Sequence, residues 1–305
     1  MPPPQGTWNP IEGPGDYTMT KVVHNESYPG IDPTKLDLSG KAVFIAGASK
    51  GVGRDTAASY AKAGASYIAI GARSSLSETE NDIKAAAKKA GRPEPQILSL
   101  KLDITDQKNV EAVAKEIGEK FGKLDVVINN AGVFGGRGLI AESDPEDWWW
   151  CMNVNLRGPY LITRACLPLL QTSTLKTLIT VSSVGAHVVG PTLSAYQTSK
   201  LAVLRFTQFV AAEYAEQGII AISVHPGNML TEIVGHGEGF DEKLKAVFTE
   251  VPQLPADSMV FLSAERREWL SGRYVNCTWD LPELVGEAKR EEIVRGDKLK
   301  IRLVV

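Results

Sequence analysis

The sequence predicts an α/β fold with a doubly wound parallel sheet. Three observations carry that reading. From residue 41 onward, short β-rich runs alternate with longer helical stretches. The β-rich runs are almost continuously apolar, as strands covered on both faces are. A glycine-rich turn, "AGASKGVGRDTAA", joins the first run to the first helix. About seven strands in one unbroken series favour one domain over two.

The elements follow in order. "KAVFIAG" is a buried strand, and "GRDTAASYAKAG" is a small-residue helix ending at Gly64. "ASYIAIGAR" and "SETENDIKAAAKKAG" repeat the pair. Next come "PQILSLKLDI", a helix over roughly 107–121, and "LDVVINNAG". One long helical region covers about 145–171, followed by "LKTLITVSS", a helix over about 195–217, "IIAISVHPG", and "RYVNCTW" as the last strand. Residues 228–258 fall outside the alternation, punctuated by Gly and Pro around one helical piece, "DEKLKAVF". Residues 1–39 read as an irregular arm, 40–280 as the α/β domain, and 281–305 as a tail. The tail reads as a charged helix and a short strand with Leu299, Ile301 and Leu303 on one side. An unpaired strand invites another edge.

Bulk properties exclude several classes. The net charge is −3 and no basic stripe is present, which argues against nucleic acid as the main partner. No apolar run approaches the ~20 residues of a membrane span. The amino terminus lacks the apolar centre of a signal peptide. Three scattered cysteines, Cys151, Cys166 and Cys277, suit free thiols in a reducing, cytoplasmic compartment. The four histidines form no metal motif, so no metal is expected.

The glycine turn has Gly47, Gly51 and Gly53 in a G-x-x-x-G-x-G spacing. Glycine permits a tight turn and lets a pyrophosphate approach the backbone at a helix amino terminus. In dinucleotide folds an acid ~20 residues further on holds the ribose hydroxyl of NAD. Here Ala72 stands at that place, Arg73 follows, and Lys50 lies inside the turn. Two cations without a carboxylate suit a 2′-phosphate, so NADP(H) is expected. Asp103, ending the third strand, could accept from the adenine amino group or cap the next helix.

"SAYQTSK" sets Tyr196 and Lys200 at i and i+4, on one helix face. A phenol titrates near pH ~10, and an adjacent ammonium pulls that value down. The pair thus reads as a tuned acid–base.

Taken in order, "GASKGVG", "NNAG", "VSS" and "YQTSK" resemble the short-chain dehydrogenase/reductase family over roughly residues 40–280. The chain looks like an NADP-preferring, fungal-type carbonyl reductase of secondary metabolism. The resemblance implies a single Rossmann-type domain and a catalytic set of Ser183, Tyr196, Lys200 and Asn155. Ser183 lies thirteen residues before Tyr196, as the family's serine does, with Ser182 the weaker candidate. Asn155 would hold a water near the lysine. For the cofactor it implies Gly47, Ser49, Lys50, Gly51, Val52, Gly53, Arg73, Asp103 and Ile104. Asn130, Ala131 and Gly132 of "NNAG" would line it further, as would Pro226, Gly227, Met229 and Thr231 of "HPGNMLT". One departure is Ala46, where the family usually carries threonine.

The implied chemistry is carbonyl reduction, or alcohol oxidation in reverse. Ser183 would hold the carbonyl oxygen and Tyr196 would protonate it. Lys200 would tune the phenol and bind the nicotinamide ribose. The loops around 133–139, 184–193 and 228–258 offer mainly apolar side chains, with His187 the nearby titratable group. Phe134, Val184, His187 and Gly227 are the substrate candidates, for a hydrophobic or aromatic small molecule. Trp148, Trp149 and Trp150 are expected in core or subunit packing, since consecutive helical residues point in different directions. The resemblance also implies a homodimer or homotetramer, and with the tail's unpaired strand it sets residues 281–305 at a subunit interface or beside a substrate loop, the alternative being a cover for the chain's own core. A non-redox isomerase, dehydratase or cyclase on the same scaffold is the alternative, as is a nucleotide-sensing module. The retained tyrosine and lysine count against the last.

Overall fold

A computed structural model describes residues 16, 18–238 and 241–302. Seven parallel strands form one sheet in the order β3-β2-β1-β4-β5-β6-β7. They are β1 (Ala42–Ala46), β2 (Tyr67–Ala72), β3 (Gln96–Lys101), β4 (Val126–Asn129), β5 (Thr177–Val181), β6 (Ile220–His225) and β7 (Arg273–Asn276). The expected fold class is therefore observed.

The apolar runs explain themselves through the pleat. In β1, Val43 and Ile45 enter the core on one face, while Phe44 enters the core on the other. On the first face lie α1 (Gly51–Lys62) and α2 (Ser77–Lys89), through residues such as Tyr60 and Ile83. On the second lie α3 (Gln107–Phe121) and, further along, α5 (Gly158–Gln171), through Val113, Ile117 and Leu161. Each fully buried side chain of this size contributes roughly 1.5–3 kcal/mol. Strand β3 departs from the pattern, since Gln96, Ser99 and Lys101 are exposed. It is an edge strand with one neighbour, so only part of it needs cover.

Local signals set the helix ends. The Asp106 carboxylate accepts from the amides of Lys108 and Asn109 and caps α3, which ends at Gly122 with φ +74. Asp144 caps α4 (Pro145–Met152) in the same way. The single helix expected over 145–171 is interrupted. A π-helical turn, Asn153–Arg157, separates α4 from α5. Helix α6 (Ser194–Glu213) is long, as expected.

Residues 228–258 hold more structure than their Gly and Pro content suggests. After the short α7 (Glu242–Lys245), α8 (Gln253–Ser263) packs on α1. The buried Asp257 carboxylate accepts from Ser27 at 2.5 Å and Ser59 at 2.6 Å. Polar residues inside a buried helix obscured it from the sequence.

The described part of the arm and the tail are knitted together. Val23 bridges to Trp279, and the His24 ring meets Asp280 at 3.0 Å. The tail forms α9 (Leu281–Val285) and α10 (Glu287–Arg295), burying Leu281, Leu284 and Ile293 in the chain's own core. The expected terminal strand does not form over Leu299–Ile301, although the Tyr274 amide donates to the Leu299 carbonyl at 2.8 Å. Leu303 lies outside the described residues.

Candidate active site

Strand order reverses between β1 and β4, and there the carboxyl ends of the strands open a crevice. A cleft of about 800 Å³ occupies it. The turn after β1 forms its floor. A Cβ at Gly47 would lie 2.6 Å from Ala131, and one at Gly53 would lie 2.1 Å from the Gly47 carbonyl. These two glycines allow the turn to pack against the β4 end. Gly53 acts from beneath and is not among the cleft-lining residues. Gly51 has φ +53 and open space where a Cβ would point. The mouth of the turn, lined by Ser49, Lys50 and Val52, is therefore an open cradle at the amino terminus of α1. Such a terminus favours an anion. Asn130 locks the turn by donating from Nδ2 to the Gly47 carbonyl at 2.8 Å.

At the end of β2, Ala72 is buried and Arg73 lies exposed at the cleft wall. The Arg73 guanidinium sits 5.9 Å from the ring centre of Trp150. The expectation of core or subunit packing is thus corrected for Trp150. Trp150 lines the cleft, Trp149 is 65% exposed, and Trp148 donates from Nε1 to Ser194 at 3.1 Å. The sequence offered one signal for Trp150, its i+4 spacing from Val154, which also lines the cleft.

Asp103 and Ile104 line the same end. Asp106 takes the helix cap, so that alternative for Asp103 is excluded. The Asp103 carboxylate instead accepts from the amide and hydroxyl of Thr105. Partial burial works to raise its pKa, but these bonds and the Arg73 charge hold it below the usual range.

The catalytic candidates converge at the opposite end. Ser182 and Ser183 follow β5, and their side chains diverge. Ser182 is buried and donates to the Lys200 carbonyl at 2.9 Å, tying down α6. Ser183 lines the cleft beside Tyr196, and its Oγ accepts from the Gly185 amide at 3.0 Å. Lys200 Nζ donates to the Val181 carbonyl at 2.9 Å and lies 5.7 Å from the centre of the Tyr196 ring. Burial pushes Lys200 down to about 8. Burial also pushes Tyr196 up, and the neighbouring Ser183 hydroxyl only partly opposes this. The sequence led us to expect a lowered phenol pKa. In the folded chain desolvation of the phenol dominates, and burial also disfavours the lysine's own charge.

Asn155 sits in the π-helical turn and is 1% exposed. Its Oδ1 accepts from the Val133 amide at 2.9 Å, while Nδ2 donates to the Val133 carbonyl at 2.9 Å and to Ser199 at 3.1 Å. The wider turn carries this amide to the loop after β4. There Gly132 leaves room for both partners, since a Cβ would lie 3.3 Å from Asn155 and 3.5 Å from Lys200.

Beyond β6, Pro226, Gly227, Met229 and Thr231 line the cleft. Gly227 has φ +104 and lies over Glu250, whose carboxylate accepts from the Asn228 amide at 2.8 Å. Neither Glu250 nor this support was anticipated. Of the substrate candidates, Phe134 meets Tyr196 edge-on with ring centres 4.6 Å apart, and Val184 lines the cleft. His187 does not line it, which corrects its placement as the cleft's titratable group. Its ring stands 4.5 Å from Tyr274 and faces a second cavity of about 190 Å³, shared with Leu299 and Ile301. Burial pushes its pKa down. Two further residues shape the substrate end. Gln197 accepts from the Gly190 amide at 2.8 Å, and Arg137 lies over Phe134.

A parallel sheet with an anion cradle at its switch point and a Ser-Tyr-Lys set beside it defines a dinucleotide-dependent oxidoreductase site. Residues 41–238 match the family model described as short chain dehydrogenase. The chain is 55% identical over 304 residues to the short chain dehydrogenase pigC of Monascus ruber, covering 100% of both. It is 47% identical over 289 residues to citE of the same species, covering 95% of this chain and 97% of that one. Against tazN of Aspergillus terreus it is 52% identical over 290 residues, covering 94% of this chain and 62% of the relative. A dehydrogenase/reductase structure from Sinorhizobium meliloti 1021 aligns with a TM-score of 0.69 at 26% identity, covering 80% of this chain and 96% of that one. The chain belongs to the short chain dehydrogenase family, whose members use a nicotinamide dinucleotide. Among the described residues no helix is long and apolar enough to cross a membrane.

Proposed function

We propose that this protein reduces a ketone or aldehyde with NADPH, and oxidises the corresponding alcohol in reverse. The observation that carries the reading is the meeting of Ser183, Tyr196 and Lys200 in one cleft with the glycine cradle. The residues present fit the cofactor. The open face of Gly51 suits a pyrophosphate, and Lys50 and Arg73 suit a 2′-phosphate where no carboxylate follows β2. When bound, the nicotinamide supplies the hydride.

The chain's own residues handle the oxygen and the proton. Ser183 donates its hydroxyl hydrogen to the carbonyl oxygen and holds it. Tyr196, kept protonated by burial, gives its proton to that oxygen. Lys200, with a pKa brought near the working range, restores the phenol's proton. Asn155 fixes the loop carrying Gly132 against α6, and Oδ1 keeps one lone pair for the water assigned to it. General acid catalysis of this kind contributes ~10²–10⁴-fold. Tyr160, Leu201 and Phe209, exposed on α5 and α6, suit the proposed homodimer or homotetramer. A cytoplasmic role in fungal secondary metabolism completes the proposal.

The test is Tyr196→Phe, followed through ketone-dependent loss of NADPH absorbance. We expect kcat to fall by at least ~10²-fold, with NADPH binding retained by fluorescence titration. Near wild-type turnover on the same ketone would remove Tyr196 from the mechanism.

A further inference from the structure

The sequence suggested a substrate end lined by apolar groups, yet the cleft holds a cation there. Arg137 lines the cleft, and its guanidinium carbon lies 5.6 Å from the centre of the Phe134 ring. Phe134 in turn stands edge-on to Tyr196, with ring centres 4.6 Å apart. Phe134 thus neighbours both the proton donor and Arg137. The other cations of the cleft have work elsewhere. Lys50 and Arg73 belong to the adenosine end, and Lys200 to proton handling. Among the described residues, no carboxylate forms an ion pair with Arg137. The loop that presents it is itself held. The Gly136 amide donates to the Asp147 carboxylate at 2.7 Å, and Gly138 donates to the Thr192 carbonyl at 3.1 Å. Gly136 has φ +68, and a Cβ there would lie 2.4 Å from Ala195 at the start of α6, so the loop rests directly on the catalytic helix.

We propose that Arg137 and Phe134 form a subsite for an anionic oxygen substituent on an aromatic carbonyl substrate. The inference rests on the carbonyl-reduction reading and adds the substrate's chemical class. The reacting carbonyl lies at Ser183 and Tyr196, the arene packs against the Phe134 ring, and the anion meets the guanidinium. An arginine fork binds a carboxylate in two parallel hydrogen bonds, and a partly apolar setting strengthens them. The Phe134 ring neighbours both Tyr196 and Arg137, so a substrate with its carbonyl and its anion on one ring suits the pair.

The probes are 4-acetylbenzoate and its methyl ester, which share the ketone and the ring and differ in charge. Binding to the enzyme–NADP⁺ complex is followed by tryptophan fluorescence, and turnover by NADPH consumption. Wild-type protein should bind and use the acid more tightly than the ester, with a preference that weakens as salt rises. Arg137→Met should raise Kd and KM for the acid by about 10- to 100-fold and abolish the preference. Arg137→Lys should keep part of it. Arg137 is exposed, so neither substitution threatens the fold. Wild-type protein that binds the acid no better than the ester, or binds neither, overturns the subsite. So does an Arg137→Met variant that weakens both probes equally. Discriminating binding without reduction of either ketone leaves the subsite standing and counts against the reductase reading instead.

Discussion

At the scale of one residue, the proposed NADPH preference rests on Arg73. It follows a buried alanine at the end of β2, where a carboxylate would bind a ribose hydroxyl instead. Its guanidinium over Trp150 gives it a preferred place at the cleft wall. Arg73→Ala is expected to weaken NADPH by roughly 1.5–3 kcal/mol, the range of a charge-assisted hydrogen bond, and NADH far less. Titration of both cofactors against both proteins checks this. Equal affinity of the wild-type protein for NADH and NADPH would end the NADP assignment. Tyr196 and Lys200 teach a related lesson. Their i, i+4 spacing was legible, but their proton affinities depend on burial that no spacing encodes.

The π-helical turn shows what an element can add to a residue. Asn155 reaches Val133 and Ser199 together because the helix widens between α4 and α5. Asn155→Ala would leave the Val133 amide and carbonyl without these partners. Each unmade bond in a buried setting costs about 1–3 kcal/mol. The variant should therefore unfold at lower denaturant concentration and also lose turnover. Denaturant titration with kinetics separates the two effects, and an unchanged midpoint would show that the loop finds other partners. From the sequence the helix looked continuous, since hydrophobic periodicity survives a single widened turn. The segment before α8 failed for a different reason. Its glycines and prolines announced a loop, while α8 itself carries buried Asp257, Ser258 and Ser263 that weaken an apolar pattern.

At the scale of the whole molecule, burial couples stability to pH. His225 ends β6 in the interior, and burial first, then the neighbouring His187, push its pKa from 6.5 to about 3. Between those values the unfolded chain holds a proton that the folded chain does not. Stability should therefore fall as pH drops below 6.5, by about 1.4 kcal/mol per pH unit for one proton. Lys200 acts at the other side, with a folded value of about 8 against 10.5. The unfolded chain again binds the extra proton between these values, so this contribution makes stability rise as pH climbs through that window. Denaturant unfolding at stepped pH values checks both signs. In His225→Asn the acid slope should be shallower by one proton, and an unchanged slope would assign the acid loss to other groups.

The sequence alone determined the strand-helix alternation, the glycine cradle and the Ser-Tyr-Lys set. These depend on local chemistry: apolar runs that must be covered, a turn that admits only glycine, and a helix face fixed by i, i+4 spacing. Only the tertiary structure decided what meets across the cleft. His187 turned to Tyr274 and a separate cavity, Trp150 turned to Arg73, and Arg137 came to lie on Phe134. It also decided that α9 and α10 return to the core that β7 leaves open. Each of these pairings joins segments or loop side chains whose direction is set by packing rather than by a repeating backbone period, so no local pattern in the chain records it.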